Sequence, residues 1–272
     1  MAKDMQGVGT TAHFTAAVWQ ELGVPGAGRF VTAKGQWVRR LVSVGGGLLG
    51  LRGGYSVTSL FLAPRHLGLN VLLEQSKATQ VIELAAGFSA RGAEWTAHHR
   101  GVYIEIDQPA VISAKRSRFT PLPNHHLLSA DLRQADLLTP IQALLDPDAP
   151  TLIIMEGVTG YLGEVALRQV LQQLHHLASW FRYPTVYIDI YLRLERKQHG
   201  RVFWAMLPAQ MLWKIIRAPM QLFLRDQTHM QTILEAEGFC IRRFYSATEL
   251  STLANYPPPP LNLFYVAEIV PK

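Results

Sequence analysis

The chain has 272 residues, of which 49% are apolar and 17% are charged. This composition supplies enough apolar side chains for a sizeable core and excludes an intrinsically disordered chain. The formal net charge is +6. Such a charge is compatible with an acidic small molecule, a nucleic acid or an anionic membrane surface as a partner, and equally with simple solubility.

The sequence gives no indication of secretion or of membrane insertion. Cys240 is the only cysteine, so an internal disulfide is excluded, and we expect a buried structural thiol. The N-terminal residues have no apolar core of signal-peptide length. Because no run of about 18 uncharged apolar residues occurs, we expect a cytoplasmic protein without a transmembrane segment.

Helices and loops are predicted for residues 1–78, which we interpret as a helical cap on a single domain spanning residues 1–272. TTAHFTAAVWQELG (10–23) has apolar residues at helical spacing and ends at Gly23. In SVTSLFLAPRHLGLNVLLEQS (56–76), Pro64 starts or kinks a helix that continues to Ser76.

From residue 80 onward, short apolar segments alternate with helical patterns. The predicted strands are VIELAA (81–86), VYIEID (102–107), HLLSADL (126–132), TLIIMEGV (151–158) and TVYIDIY (185–191). Helical patterns lie between them, including LLTPIQALL (137–145). Near-continuous apolar strands that alternate with helices predict a parallel sheet covered on both faces.

The C-terminal part of the chain begins with an insertion, residues 192–225. Its segment 203–224 is rich in aromatic residues and methionine, which is typical of a hydrophobic lid, an oligomer interface or a membrane-surface helix; we favour a lid or a homo-oligomer interface. A helix then ends at Gly238, and two strands follow, FCIRRFY (239–245) and LFYVAEIV (263–270). With only a proline-rich connection between them, these strands are predicted to pair antiparallel.

Five strand–helix units followed by an antiparallel pair are typical of the class I methyltransferase fold. The predicted fold is therefore α/β and Rossmann-like. It has a mostly parallel seven-stranded sheet with an antiparallel last strand, a helical N-terminal segment and a helical insertion after strand five. In such open sheets, ligands bind at the carboxyl ends of the strands.

The turn after the first strand is poor in glycine. ELAAGFSARG (83–92) contains only Gly87 and Gly92, at the wrong spacing for the G-x-G-x-x-G loop that binds a pyrophosphate. This disfavours a nicotinamide cofactor, whereas an adenosyl sulfonium cofactor has no phosphate. Glu83 is costly to bury without partners, and a cofactor carrying an ammonium and a sulfonium would explain it; the alternative is an incidental acid.

Acids also stand at the ends of the next strands. Asp107 is placed to accept hydrogen bonds from both ribose hydroxyls, or else to cap the helix that starts near Pro109. Asp131 is a candidate for an adenine amino group. Glu156 precedes Gly157, Gly160 and Tyr161; here we expect the acid to face a cationic group, Gly157 to lie against the ligand and Tyr161 to line the pocket. These last residues could instead form an ordinary capped loop.

Four segments in this order resemble the motifs of the leucine carboxyl methyltransferase family, which includes bacterial O-methyltransferases of polyketide biosynthesis. They are VIELAAGFSAR (81–91), YIEIDQPAVISAKR (103–116), SADL (129–132) and IIMEGVTGYL (153–162). The N-terminal TTAHFTAAVWQELGVPGAGRF (10–30) is also similar to the family's opening segment. The resemblance spans roughly residues 8 to 190 and implies a class I fold that uses S-adenosyl-L-methionine.

The resemblance also implies roles for individual residues. Arg65 would pair with the methionine carboxylate, a bidentate contact that suits a guanidinium. Gly87 would allow close approach of the cofactor. Asp107 would bind the ribose, Asp131 and Leu132 the adenine, and Glu156 the methionine portion. Five positions depart from the family pattern: Ala85 replaces a glycine next to the cofactor, Ser89 and Asn70 each replace an aspartate, and Trp19 and Gln20 replace an arginine and an alanine.

We therefore expect an O-methyltransferase acting on a carboxylate or hydroxyl of a bulky apolar small molecule, without a nucleic-acid partner. Candidate groups for proton transfer are Tyr191, Glu195, His199 and His229, and candidate substrate contacts are Tyr161, Trp204 and Trp213. Three His-His pairs lack the spacing of a zinc site, so no metal is predicted. The alternatives are a non-catalytic protein of the same fold and, less favoured, a nicotinamide-dependent oxidoreductase.

Overall fold

The computed structural model describes residues 6–48, 62–134, 136–193, 221, 224–259 and 262–272, without the side chains of 6–10 and 41–48. Three helices precede the sheet: α1 (Gln6–Glu21), α2 (Ala33–Leu48) and α3 (Ala63–Gln75). Pro64 lies in the first turn of α3, where its missing N–H costs no hydrogen bond. Most of the insertion, residues 194–220, lies outside the described residues, so the lid and its Trp204 and Trp213 stay predictions.

Strands and helices alternate from residue 80, as the sequence pattern predicts. The elements are β1 (Gln80–Leu84), α4 (Arg91–His98), β2 (Val102–Asp107), α5 (Pro109–Arg116), β3 (His125–Ser129), β4 (Thr151–Met155), α6 (Glu164–Ser179) and β5 (Pro184–Tyr191). They are followed by α7 (Gln227–Ala236), β6 (Phe239–Ser246), α8 (Ala247–Leu253) and β7 (Phe264–Pro271). Among the described residues, no helix is both long and apolar enough to cross a bilayer.

The described strands form one sheet in the order β3-β2-β1-β4-β5-β7-β6. β7 runs antiparallel to both of its neighbours, β5 and β6, whereas the pairs among β1 to β5 are parallel. This arrangement confirms the predicted fold class. Strand order changes direction between β1 and β4, so the carboxyl ends of these two strands border the crevice in which such sheets bind ligands.

Three local predictions are wrong. A helix, α8, separates β6 from β7, because Ser246 and Glu249 form a capping box that starts it. The segment 137–145 forms only a short 3-10 turn, Gln142–Leu144, since Pro140 disfavours a helical conformation at the residue before it. Cys240 is exposed rather than buried, because it lies on the solvent-facing side of the edge strand β6.

Apolar side chains cover both faces of the sheet. Ile82 and Leu84 pack with α6 and α7 on one face, and Val81 packs with α3, α4 and α8 on the other. Side chains two residues apart point to the same face of a strand. Glu83 and Asp189 therefore point to the same face as α3 and α4, where a carboxylate needs a cation from one of those helices.

A third acid on this face is neutralised by the helix that follows β2. Glu105, Lys115 and His125 are all buried; the Lys115 ammonium pairs with Glu105 Oε2, and His125 Nε2 lies 2.9 Å from Glu105 Oε1. Burial favours the neutral acid, but Lys115 and His125 outweigh it and hold the pKa of Glu105 below its usual value. Glu105 and Lys115, which both belong to the segment YIEIDQPAVISAKR (103–116), therefore form one buried ion pair.

The Lys115→Met variant should lower the free energy of unfolding by roughly 3–5 kcal/mol, because it leaves the Glu105 carboxylate buried without its cation. Adding Glu105→Gln should restore much of that loss. Urea unfolding of the wild type, both single variants and the double variant measures the coupling. Additive losses in the double variant would contradict a direct pair.

The turn after β1 is held in a conformation that L-residues rarely adopt. Ala85 has φ 55° and Gly87 has φ 52°. Ala85 N–H donates to Ile106 O at 2.8 Å, which ties the turn to β2. The glycine that the family has at position 85 is thus explained by backbone geometry, and Ala85 keeps the conformation at an energetic cost.

Ala85→Gly should raise the free energy of unfolding by up to about 1 kcal/mol. Relief of the left-handed conformation, about 1–2 kcal/mol, exceeds the entropic cost of glycine, about 0.5–1 kcal/mol. Denaturant unfolding measures the change, with Ala86→Gly, where φ is not positive, as the matched control. An equal loss of stability in both variants would show that the turn is not strained at Ala85.

Candidate functional site

Asp107 at the end of β2 is joined to the turn after β1. Gly87 N–H donates to Asp107 Oδ2 at 2.6 Å, and Gln108 N–H donates to Asp107 Oδ1 at 2.6 Å. Burial raises the pKa of the Asp107 carboxyl, although these two N–H groups oppose the rise. Gln108 is the N-cap residue of α5. Asp107 therefore does not cap this helix, which was the alternative interpretation of the sequence.

Six buried polar side chains meet next to this turn, and we call them the charged cluster. Its members are Arg65 and His66 from α3, Glu83 from β1, Arg91 from α4, Glu156 after β4 and Asp189 from β5. Their side chains are at most 7% exposed. The structure therefore brings together three of the predicted cofactor residues, Arg65, Glu83 and Glu156, with three that the sequence analysis did not single out.

Arg91 is the most connected member of the charged cluster. Its Nη1 pairs with Glu83, its Nη2 donates to Glu156 Oε2 at 2.6 Å, and its Nε donates to Asn70 Oδ1 at 2.7 Å. Its backbone N–H donates to Ser89 Oγ at 3.1 Å. The residues at two family departures, Asn70 and Ser89, thus both hold Arg91 in place.

Arg65 is less completely engaged than Arg91. Its Nε donates to Glu156 Oε1 at 2.9 Å, and its Nη1 donates to Asp189 Oδ2 at 3.2 Å. Its guanidinium carbon lies 5.4 Å from the centre of the Tyr191 ring. Within the described part of the chain, Nη2 has no hydrogen-bond partner. A Cβ at Gly157 would lie 3.2 Å from this nitrogen, and Gly157 has φ 76°, so the turn needs glycine on both counts.

The charged cluster has one more formal negative charge than positive charge. Three carboxylates face two guanidinium groups, and burial lowers the pKa of His66, although Glu156 opposes that shift. Burial raises the pKa of Asp189 to about 6, against the opposing effect of Arg65. For Glu156, burial is outweighed by His66, Arg91 and Arg65, which hold its pKa well below the usual range. An excess of buried negative charge favours a cationic ligand.

Glu83 obtains the partners that its burial requires from the protein. Tyr103 Oη donates to Glu83 Oε2 at 2.8 Å, and Arg91 pairs with the other oxygen. Burial raises the pKa of Glu83, although Arg91 opposes the rise. The cation that faces this acid is therefore Arg91, and a direct contact between Glu83 and a cofactor stays a prediction.

The remaining predicted residues are not members of the charged cluster. Asp131 pairs in bidentate fashion with Arg133, at 3.0 and 2.8 Å, and its side chain is 33% exposed. Leu132 is buried in the core. His229 lies in α7, where its Nδ1 accepts from Arg225 N–H at 3.4 Å. Glu195 and His199 lie outside the described residues.

Helix α1 covers the charged cluster and the turn after β1. The Trp19 indole stacks on His66, with ring centroids 4.0 Å apart and planes 10° from parallel. Thr11 hydrogen-bonds the Tyr161 hydroxyl. The Ala12 Cβ lies 3.6 Å from the point that a Cβ on Gly87 would occupy. These contacts fit the predicted cap segment and show that the Tyr161 hydroxyl faces α1.

Three members of the charged cluster were not predicted by the sequence analysis. They differ in whether a sequence feature could have identified them. Arg91 is the last residue of VIELAAGFSAR (81–91), the first of the four segments that resemble the family. Asp189 carries the same signal as Glu83, an acid inside an apolar strand. No sequence feature identifies His66, whose buried Nε2 has no hydrogen-bond partner among the residues that the structure describes. In the described part of the chain, no three histidine, cysteine, aspartate or glutamate side chains are arranged so that they could hold a metal ion.

Comparisons with known proteins give the same identification as the motifs. The pattern of the leucine carboxyl methyltransferase family matches residues 68–175. A "Putative S-adenosyl-L-methionine-dependent methyltransferase" of Mycolicibacterium gilvum (strain PYR-GCK) is 38% identical over 106 residues, covering 37% of this chain and 34% of that protein. A similarly named Mycolicibacterium smegmatis (strain ATCC 700084 / mc(2)155) protein is 26% identical over 169 residues, covering 59% of this chain and 55% of that protein.

The fold comparison covers more of the chain. The solved structure of a "putative methyltransferase" from Thermobifida fusca YX has a TM-score of 0.61 at 13% identity, covering 96% of this chain and 94% of that one. The sequence matches, by contrast, span about a third and about half of the two curated relatives. The matched residues 68–175 include three of the six members of the charged cluster, Glu83, Arg91 and Glu156. The chain therefore has the class I methyltransferase fold, and its residues 68–175 are similar to the leucine carboxyl methyltransferase family.

Proposed function

We propose that this protein transfers a methyl group from S-adenosyl-L-methionine to an oxygen atom of a small, apolar acceptor. The observation that carries the proposal is the charged cluster at the carboxyl ends of β1, β4 and β5, with its excess of negative charge. A sulfonium cofactor with one ammonium and one carboxylate has a net charge of +1 and would balance that excess. A nicotinamide dinucleotide, whose pyrophosphate is anionic, would add to it.

The described residues have hydrogen-bonding capacity left for such a cofactor. A carboxylate has about four lone-pair sites, and Asp107 uses two of them on Gly87 and Gln108. The other two are available for ribose hydroxyls. Nη2 of Arg65 is available for the carboxylate of the methionine portion, and Glu156 supplies negative charge for its ammonium. The turn at Ala85 and Gly87 lets the backbone approach the ligand closely.

The chemistry that S-adenosyl-L-methionine supplies is an electrophilic methyl group on sulfur. The protein contributes orientation, which is worth about 7–11 kcal/mol in favourable cases. A carboxylate acceptor needs no base at neutral pH, whereas a phenol or alcohol does. The family's name refers to a carboxyl oxygen, and the clearest described candidate for the base, Tyr191, is buried beside Arg65. We therefore favour a carboxylate as the acceptor.

The Asp107→Asn variant should lower the affinity for S-adenosyl-L-methionine by about tenfold or more, because a charge-assisted hydrogen bond to the ribose is lost. Isothermal titration calorimetry measures it. Asp148→Asn, in which the changed side chain is 72% exposed and pairs only with Arg182, is the control and should bind like the wild type. Unchanged affinity in Asp107→Asn would overturn the ribose assignment, and heat with NAD in its place would favour the oxidoreductase.

Transfer itself is tested with methyl-labelled S-adenosyl-L-methionine and pairs of apolar acceptors that differ only in carrying a carboxylate or a phenol. We expect label in a methyl ester that mild base hydrolyses. Label in a base-stable ether would indicate a hydroxyl acceptor. Tight cofactor binding with no transfer to any acceptor of either class would support the non-catalytic alternative.

A further inference from the structure

Asp189 is a fully buried carboxylate in the middle of the apolar strand β5. Its side chain is 0% exposed, and the residues that flank it, Ile188 and Ile190, belong to the core on the opposite face. Burial of a carboxylate is costly unless it is paired and hydrogen-bonded. The contacts of Asp189 therefore indicate which part of the structure this buried carboxylate serves.

Asp189 joins three segments that are distant in sequence. Its Oδ2 accepts from Gly157 N–H at 2.7 Å and from Arg65 Nη1 at 3.2 Å. Its Oδ1 accepts from Thr159 Oγ1 at 3.0 Å. One oxygen thus holds both the guanidinium of α3 and the glycine turn after β4, and the other oxygen is fixed by the threonine of the same turn.

The close approach of Gly157 to Arg65 restricts where the guanidinium can lie. The space that a Cβ would need at Gly157 is next to Arg65 Nη2, so the guanidinium lies directly against the turn. Asp189 engages Nη1, and Glu156 engages Nε. Two of the three guanidinium nitrogens are thereby fixed, which determines where the third one, Nη2, is held.

Charge neutralisation alone does not account for Asp189. Arg65 and Arg91 already face Glu156 and Glu83, so these four charges balance without a third acid. Burial also raises the pKa of Asp189 to about 6, which means that ionisation of this group is less favourable in the folded protein than in the unfolded chain. A group retained at such a cost, with every contact directed at Arg65 and its supporting turn, acts on the position of that arginine.

We propose that Asp189 is a positioning residue that orients Arg65 for the carboxylate of the bound amino-acid portion of the cofactor. This inference rests on the proposed function, because it requires Arg65 to bind that carboxylate. Asp189 touches neither the cofactor nor the acceptor. It holds Nη1 of Arg65 and the Gly157 turn so that Nη2 is presented to the ligand without having to reorganise, which preserves affinity.

The test compares two probes that differ only in the group concerned, S-adenosyl-L-methionine and its decarboxylated analogue, by calorimetry. The wild type should bind the first more tightly. Asp189→Asn should weaken binding of S-adenosyl-L-methionine by about tenfold and leave binding of the analogue nearly unchanged, so that the preference for the carboxylate collapses. Thr159→Val removes the hydroxyl that lies 3.0 Å from Asp189 Oδ1 and 2.9 Å from the Asp189 carbonyl oxygen. It should give a smaller change of the same kind and serves as the second variant if Asp189→Asn does not fold.

Two further variants separate positioning from a general loss of structure. Glu268→Gln changes a carboxylate on the neighbouring strand β7 that is hydrogen-bonded by Tyr245 at 3.0 Å, and it should leave the preference intact. Arg65→Lys should abolish the preference, and Asp189→Asn should then add little to it, because both changes act on one contact.

Each outcome decides between the hypotheses. A wild type that binds both probes equally would overturn the assignment of Arg65 and, with it, the role of Asp189. A preference that survives in Asp189→Asn would overturn only the positioning role. Equal losses for both probes in Asp189→Asn would show that the residue merely stabilises the fold. Additive effects of Arg65→Lys and Asp189→Asn would show that Asp189 acts independently of the arginine.

Discussion

The interaction on which the rest of this site depends is the pairing of buried carboxylates on the sheet with the arginines of the two helices that cover it. Strands β1 and β5 each carry an acid on an otherwise apolar face, and burial without a cation would prevent folding. Arg91 and Arg65 meet this requirement from α4 and α3, and Glu156 joins the two arginines. The same contacts that hold the helices on the sheet therefore build the charged cluster.

This requirement explains how the chain departs from its family's pattern and keeps the site. Asn70 and Ser89 replace aspartates, yet both accept hydrogen bonds from Arg91, a task that needs an oxygen but not a charge. Two further carboxylates here would increase an excess of negative charge that already exists. Ala85 is a different case, because the turn holds it in a left-handed conformation. This conformation is unfavourable for a residue that carries a Cβ. The alanine lowers the stability of the fold but leaves the hydrogen bond between Gly87 and Asp107 in place.

Sequence reasoning succeeded where the signal is local or periodic. The alternation of strands and helices, the antiparallel last strand and the helix with Pro64 in its first turn all follow from spacing and from single residues. The prediction failed at α8, where a seven-residue helix is too short to show a periodicity, and at Cys240, whose exposure depends on β6 being the edge strand. In the site, Asp107 and Glu156 were recognisable because they end strands, whereas Arg91 and Asp189 matter through partners far away in the chain.

By itself, the sequence determined the alternation of strands and helices, the resemblance to a family and the strand ends at which a ligand is expected to bind, because these follow from hydrophobic periodicity and from motifs contained in short segments. Only the tertiary structure decided which charges meet. Arg65 is 124 residues from Asp189 and 91 residues from Glu156, and no periodicity connects positions so far apart. Their pairing results from packing α3 and α4 on one face of the sheet, where each buried charge must find a partner within hydrogen-bonding distance.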